Sequence, residues 1–246
     1  VCMSNAQKHW INFPALFNEE TMNRTLVGLV LISITSVALY LGDIAPSYYS
    51  AQIYVVLIGI AVFIEMVRVS RKADDKTVAK DGPVVAKKVV KTQLFIAFAT
   101  LLSVVTVTKM FLYAEHSIVA LLIALFVGVA TADSMAYVTG RLFGKKGPKL
   151  APSISPNKSW IGAIGGVISG ASAFAIIAVW LLNIPILQAL FCGFYVAIAS
   201  VIGDLGQSYC KRTVGLDDSG SALGAHGGFW DRFDGFVLAG SVVFFI

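Results

Sequence analysis

The feature that most restricts this chain is a succession of apolar runs. Several of them approach the roughly 20 residues that an α-helix needs to cross the hydrocarbon core of a bilayer. They fall at about Thr25 to Leu41, Ala51 to Val69, Leu94 to Tyr113, Ser117 to Val138, Trp160 to Leu182 and Ile186 to Leu205, and a seventh starts near Phe233. Only 13% of residues are charged and 57% are hydrophobic, whereas soluble domains carry about 25% charged residues. The mean hydropathy of +0.79 agrees. A soluble globular domain is excluded. So is a β-barrel, whose strands would be about 10 residues of alternating polarity. The expected fold is all-α: a polytopic integral membrane bundle of about seven or more transmembrane helices, residues 25–246, preceded by an interfacial segment, 1–24, with Trp10 at headgroup level.

The net charge of +5 matters through its placement. Lys and Arg crowd the stretch 70–93, the loop 140–159 and the loop after the sixth run, which alternate on one side if the runs are spans. Cytoplasmic loops are enriched in Lys and Arg, so these three loops and the amino terminus are expected to face the cytoplasm. The basic stretch 70–91 reads as orientation and adhesion to anionic lipid rather than chemistry. The 3 cysteines show no pairing or metal-ligand spacing, and no cleavable signal peptide is evident at residues 1–24.

Against this oily background, residues 203–235 gather Asp204, Asp217, Asp218, Asp231 and Asp234 with Lys211, Arg212, Arg232 and His226, threaded with glycines. Carboxylates interleaved with cations suit a divalent metal and a polyphosphate. The glycines let backbone amides approach anionic oxygens. His226 either donates to a phosphate or packs its turn. Asp133 lies inside a span, where an ionisable residue usually has a partner or a task. Glu65, near the end of its span beside Arg68, reads as a satisfied surface pair. No Walker loop, paired-His motif or nucleophile elbow is present.

Three ordered motifs carry a resemblance. Asp133-Ser134-Met135-Ala136-Tyr137 is followed by Gly140-Arg141-Leu142-Phe143-Gly144-Lys145. Ser155-Pro156-Asn157-Lys158-Ser159-Trp160 comes next, with Gly162 and Gly165-Gly166. Ser208 to Arg212, Asp218-Ser219-Gly220 and His226-Gly227-Gly228-Phe229-Trp230-Asp231-Arg232-Phe233-Asp234 complete the set. Together they resemble the phosphatidate cytidylyltransferases, or CDP-diacylglycerol synthases, over about residues 130–235. The chain departs from the family pattern at Asp217, where Lys is usual, at Ile161, where Glu is usual, and at Cys210, where an aliphatic residue is usual. An anion at Asp217 is expected to weaken triphosphate binding unless its side chain turns outward.

The resemblance implies transfer of the cytidylyl group of CTP to phosphatidate at a cytoplasm-facing site in a multi-pass membrane protein. It implies Asp204 and Asp231 as metal ligands, converging on one cation, with Asp234, Asp133 and Asp218 as further ligands or their supports. Lys211, Arg212 and Arg232 become phosphate contacts, joined by Lys158. Ser155, His226, Gly227 and Gly228 fall to the substrate. Mg²⁺ is the implied ion, with K⁺ beside it, and CTP, phosphatidate, membrane lipids and a second copy in a homodimer are the implied partners, with no nucleic acid. A CTP-dependent polyprenol kinase has a partly similar site and would instead leave CDP free in solution. A CDP-alcohol phosphotransferase is rejected, because Phe236 to Ala239 follow Asp231-Arg232-Phe233-Asp234-Gly235 where that family needs an Arg. A transporter could also hold buried carboxylates, but no internal repeat is visible and the charges sit at one side.

Overall fold

The computed structural model describes residues 49–78, 88–99, 101, 117–145, 147–223 and 227–243. The interfacial segment 1–24, the first expected span and most of the third lie outside the described residues. Within them the chain forms α1 (Tyr49–Val78), α2 (88–99), α3 (Ser117–Phe143), a hairpin of β1 (Lys149–Ala151) and β2 (Ser155–Ser159), α4 (Trp160–Leu182), α5 (Ile186–Val214) and α6 (Trp230–Val243). Four of these helices, α1, α3, α4 and α5, are long and apolar enough to cross a bilayer, and the chain is an integral membrane protein. The all-α expectation holds, since the described residues contain no sheet larger than the hairpin.

Helix ends follow local chemistry. Ser159 caps α4, its side chain accepting the amide proton of Gly162 at 3.1 Å. Asn183, left-handed at φ 53°, closes that helix before Pro185 opens the next. Helix α5 runs on past Leu205 and stops only at Gly215, φ 67°, where the amides of Gly215 and Leu216 return to the carbonyls of Arg212 and Lys211. Polarity alone does not end a helix; a residue able to turn left-handed does. Helix α1 also continues, to Val78, through residues expected to be loop. The expected basic loop 140–159 instead holds the antiparallel hairpin, Lys149 opposite Ser159 and Ala151 opposite Ser155.

Without water to drive helices together in lipid, close van der Waals packing decides their contacts. Helix α4 presents glycine to α3: a Cβ on Gly162 would lie 2.7 Å from the Ala136 carbonyl, and one on Gly166 2.6 Å from the Ala132 carbonyl. Helix α5 then packs on α4 and α6, and α1 touches both α5 and α6. Phe174, Val129, Val196 and Trp230 fill the buried centre. The carboxyl ends of α3 and α5, the amino ends of α4 and α6, and the hairpin therefore meet at one end of the bundle.

Candidate active site

At that end opens a cavity of about 580 Å³. Asp133, Tyr137 and Arg141 reach it from α3, Ser155 and Lys158 from the hairpin, and Asp204 from α5. Lys145, Lys149 and Asn157 complete its polar wall. Lys158 forms an ion pair with Asp204, while the Arg141 guanidinium donates to the Tyr137 hydroxyl at 2.5 Å. The Ser200 hydroxyl donates weakly to Asp133, at 3.5 Å. Asp234 stands close enough that its charge acts on those of Asp204 and Asp133. The backbone makes this approach possible, since a Cβ on Gly203 of α5 would fall 2.6 Å from the Asp234 carbonyl.

A second group of side chains lies one turn further along α5. Asp231 Oδ1 accepts from Gln207 Nε2 at 2.9 Å and from Lys211 Nζ at 2.7 Å. Its Oδ2 accepts from the amides of Ser219 and Gly228, both at 2.8 Å. Burial pushes this carboxyl up, but the Lys211 and Gly228 bonds and the Lys211 charge outweigh it and hold the group below the ordinary carboxylate range. Gly227 adopts φ 77°, and a Cβ there would lie 2.6 Å from Asp231 and 3.0 Å from Asp218. Only glycine lets the loop turn left-handed this close to two carboxylates.

The residues singled out from sequence thus divide. Asp133, Asp204, Lys158 and Ser155 line the cavity, with Asp234 beside them. Asp231, Lys211, Gly227 and Gly228 belong to the loop network, and Asp218 is an exposed neighbour of it. The spacing of Asp231 and Asp234 would place both on one face of a regular helix, but Phe233 between them has φ −117° and ψ 16° and breaks α6 there. Arg212 turns to Asp217, its guanidinium 2.5 Å from that carboxylate, and the Asp217 side chain is 92% exposed. The Asp217 side chain therefore turns outward. Arg232 is exposed; His226 lies outside the described residues.

One expectation is corrected. Glu65 is no surface pair with Arg68: it is 2% exposed, and it accepts from the Ser219 hydroxyl at 2.9 Å and the amides of Phe229 and Trp230 at 3.0 and 2.8 Å. Sequence reasoning also passed over Gln207 and Ser219. Gln207 was legible, since 204, 207 and 211 share one face of a helix. Nothing local in the sequence ties Glu65 to a loop more than 150 residues away.

Among the described residues no three His, Cys, Asp or Glu side chains form a ready-made metal cage. The donor chemistry nevertheless fits Mg²⁺, which takes one or two carboxylates and fills its other positions with water and phosphate oxygens. Asp204 and Asp133 offer such oxygens to a cavity with room for both.

Comparison with known proteins agrees with this chemistry. A sequence profile described as the cytidylyltransferase family matches residues 78–246. A phosphatidate cytidylyltransferase of Brucella abortus is 41% identical over 130 residues, 50% of this chain and 45% of the relative. One from Aquifex aeolicus is 40% identical over 134 residues, 54% and 48% of the two chains. One from Haemophilus influenzae is 38% identical over 158 residues, 60% and 54%. The chain spans about half the length of these relatives. The profile covers well over half of the chain, cavity and loop network included: the chain belongs to the cytidylyltransferase family.

Proposed function

We propose that this protein transfers the cytidylyl group of CTP to phosphatidate, giving CDP-diacylglycerol and pyrophosphate. The observation that carries the reading is the cavity, which gathers Arg141, Lys145, Lys149 and Lys158 with Asp133 and Asp204 at the end of apolar helices. Its position suits a nucleotide arriving from water and a headgroup held at the interface.

The phosphate of phosphatidate is already an anionic nucleophile, so no strong general base is required. One of its oxygens bonds to the α-phosphorus of CTP, and the bond from that phosphorus to the oxygen bridging to the β-phosphate breaks. Pyrophosphate departs with the electron pair. The protein's task is to bring two highly charged reactants into line and to offset their charge. Lys158, Lys145, Lys149 and Arg141 are suited to that. Asp204, Asp133 and Asp234 would hold Mg²⁺, which when bound neutralises and orients phosphate oxygens. Lys158 meanwhile keeps Asp204 paired, and a ligand phosphate can take over that cation. Asp231, Lys211 and the Gly227-Gly228 turn frame the loop beside the cavity. The basic loops support a cytoplasm-facing site, while K⁺ and a homodimer rest on the family resemblance alone.

CTP labelled at the α- or the γ-phosphorus, given with phosphatidate and Mg²⁺ to the purified protein, tests the reaction. The α-label should enter lipid and the γ-label should leave as pyrophosphate. Entry of the γ-label into lipid would make the protein a lipid kinase instead, and no nucleotide turnover alongside ion or metabolite flux would make it a transporter.

A further inference from the structure

A residue more than 150 positions upstream contacts the loop that carries the last motif. Glu65 sits on α1, upstream of the segment 78–246 that matches the family. It is 2% exposed, and each of its carboxylate oxygens receives a donor from the loop that carries the last motif. Oε1 accepts from the Phe229 amide at 3.0 Å; Oε2 accepts from the Trp230 amide at 2.8 Å and lies 2.9 Å from the Ser219 hydroxyl. The first two are amides at the start of α6, which no preceding turn can satisfy and which favour an anion. The Ser219 hydroxyl also lies 2.9 Å from Asp231 Oδ2, so Glu65 and Asp231 share one serine, and Asp231 follows directly on the residue that Glu65 caps.

Space around Glu65 explains two of the glycines. A Cβ on Gly220 would lie 2.7 Å from Glu65 Oε1, and one on Gly228 would also collide with that carboxylate. Ser219-Gly220 and Gly228 therefore close around a carboxylate from another helix.

We infer that Glu65 is a positioning residue: from α1 it pins Ser219 and residues 228–230 and so fixes Asp231 and Lys211 beside the cavity. It touches no reacting atom. The catalytic part of the inference rests on the reading of the protein as a cytidylyltransferase. Glu65→Gln keeps the volume but replaces one acceptor oxygen with an amide that faces a donor, so the loop loses at least one of its ties.

The test combines turnover with amide hydrogen exchange in Glu65→Gln and wild-type protein. The inference expects kcat to fall about 10- to 100-fold, as for supports of a site's primary groups. Both KM values should stay close to wild type, because misalignment removes transition-state rather than ground-state binding. Exchange should speed up at 219–220 and 228–230 while α4 keeps its wild-type rates. Faster exchange with unchanged kcat, or lower kcat with unchanged exchange, overturns the inference. Equal acceleration in α4 reduces Glu65 to a general stabiliser and overturns it too. If wild-type protein makes no CDP-linked lipid, the proposed activity fails, and exchange at 219–220 and 228–230 alone then decides whether Glu65 pins the loop.

Discussion

The cavity and the loop beside it hold similar residues and use them in opposite ways. In the cavity, Asp204 has one cation, Lys158, with both side chains roughly a third exposed, and Asp133 has one long bond from Ser200. In the loop, donors from Gln207, Lys211, Ser219 and Gly228 occupy the two oxygens of Asp231, and Glu65 is occupied in the same way. A carboxylate with spare lone pairs facing open space can accept a ligand. One whose lone pairs are committed to backbone amides holds a shape. Two aspartates three residues apart in one motif also part company: Asp231 is committed to the loop, whereas Gly203 of α5 packs against the Asp234 backbone beside Asp204.

The division is open to attack by mutation. Asp204→Asn should cost about 10²–10³-fold in turnover, the scale of losing one preorganised charge at a reacting centre. It should leave the melting temperature nearly unchanged, because a partly exposed ion pair contributes little. Asp231→Asn should differ, losing turnover together with about 1–3 kcal/mol of stability as an amide is set against committed donors. Because the native Asp231 carboxyl is held below its ordinary value, its contribution is present above about pH 4 and fades as pH falls further. The melting difference between Asp231→Asn and wild type should close in that acid range. Equal melting of both variants with wild type at neutral pH would erase the division.

Gly166→Leu should cost about 1–3 kcal/mol by forcing α3 from α4, and activity should fall with it as Asp133 is displaced from Asp204. Thermal melts and turnover of the same preparation check this. The smallest effect belongs to Asp217→Ala, which releases Arg212 without touching either group. Its melting should match wild type and its KM for CTP should drop by less than about fivefold, the worth of one exposed pair.

Much of this was legible in the sequence, for physical reasons. Apolar runs bounded by Asn183-Ile184-Pro185 located α4 and α5, whose limits are set by hydrophobic length and by turn residues. Asp133 and Asp204 reached the cavity because each stands toward the end of an apolar helix, and Ser155 and Lys158 were legible from their motif. Three things were hidden. The break at Phe233 separates two aspartates that regular spacing would unite, and no proline or glycine at that position announces it. The hairpin is too short for alternation to register. Glu65 is a long-range contact, and its neighbour Arg68 offered an easier local explanation.

The most direct test asks where CTP sits. Lysine acylation of the protein with and without CTP and Mg²⁺, read by peptide mass spectrometry, reports each ammonium separately. Binding in the cavity predicts protection of Lys145, Lys149 and Lys158, with exposed Lys88 labelled as before. Protection of Lys211 with all three cavity lysines still reactive would contradict the assignment, because the nucleotide would then occupy the loop that is here taken to be only a frame.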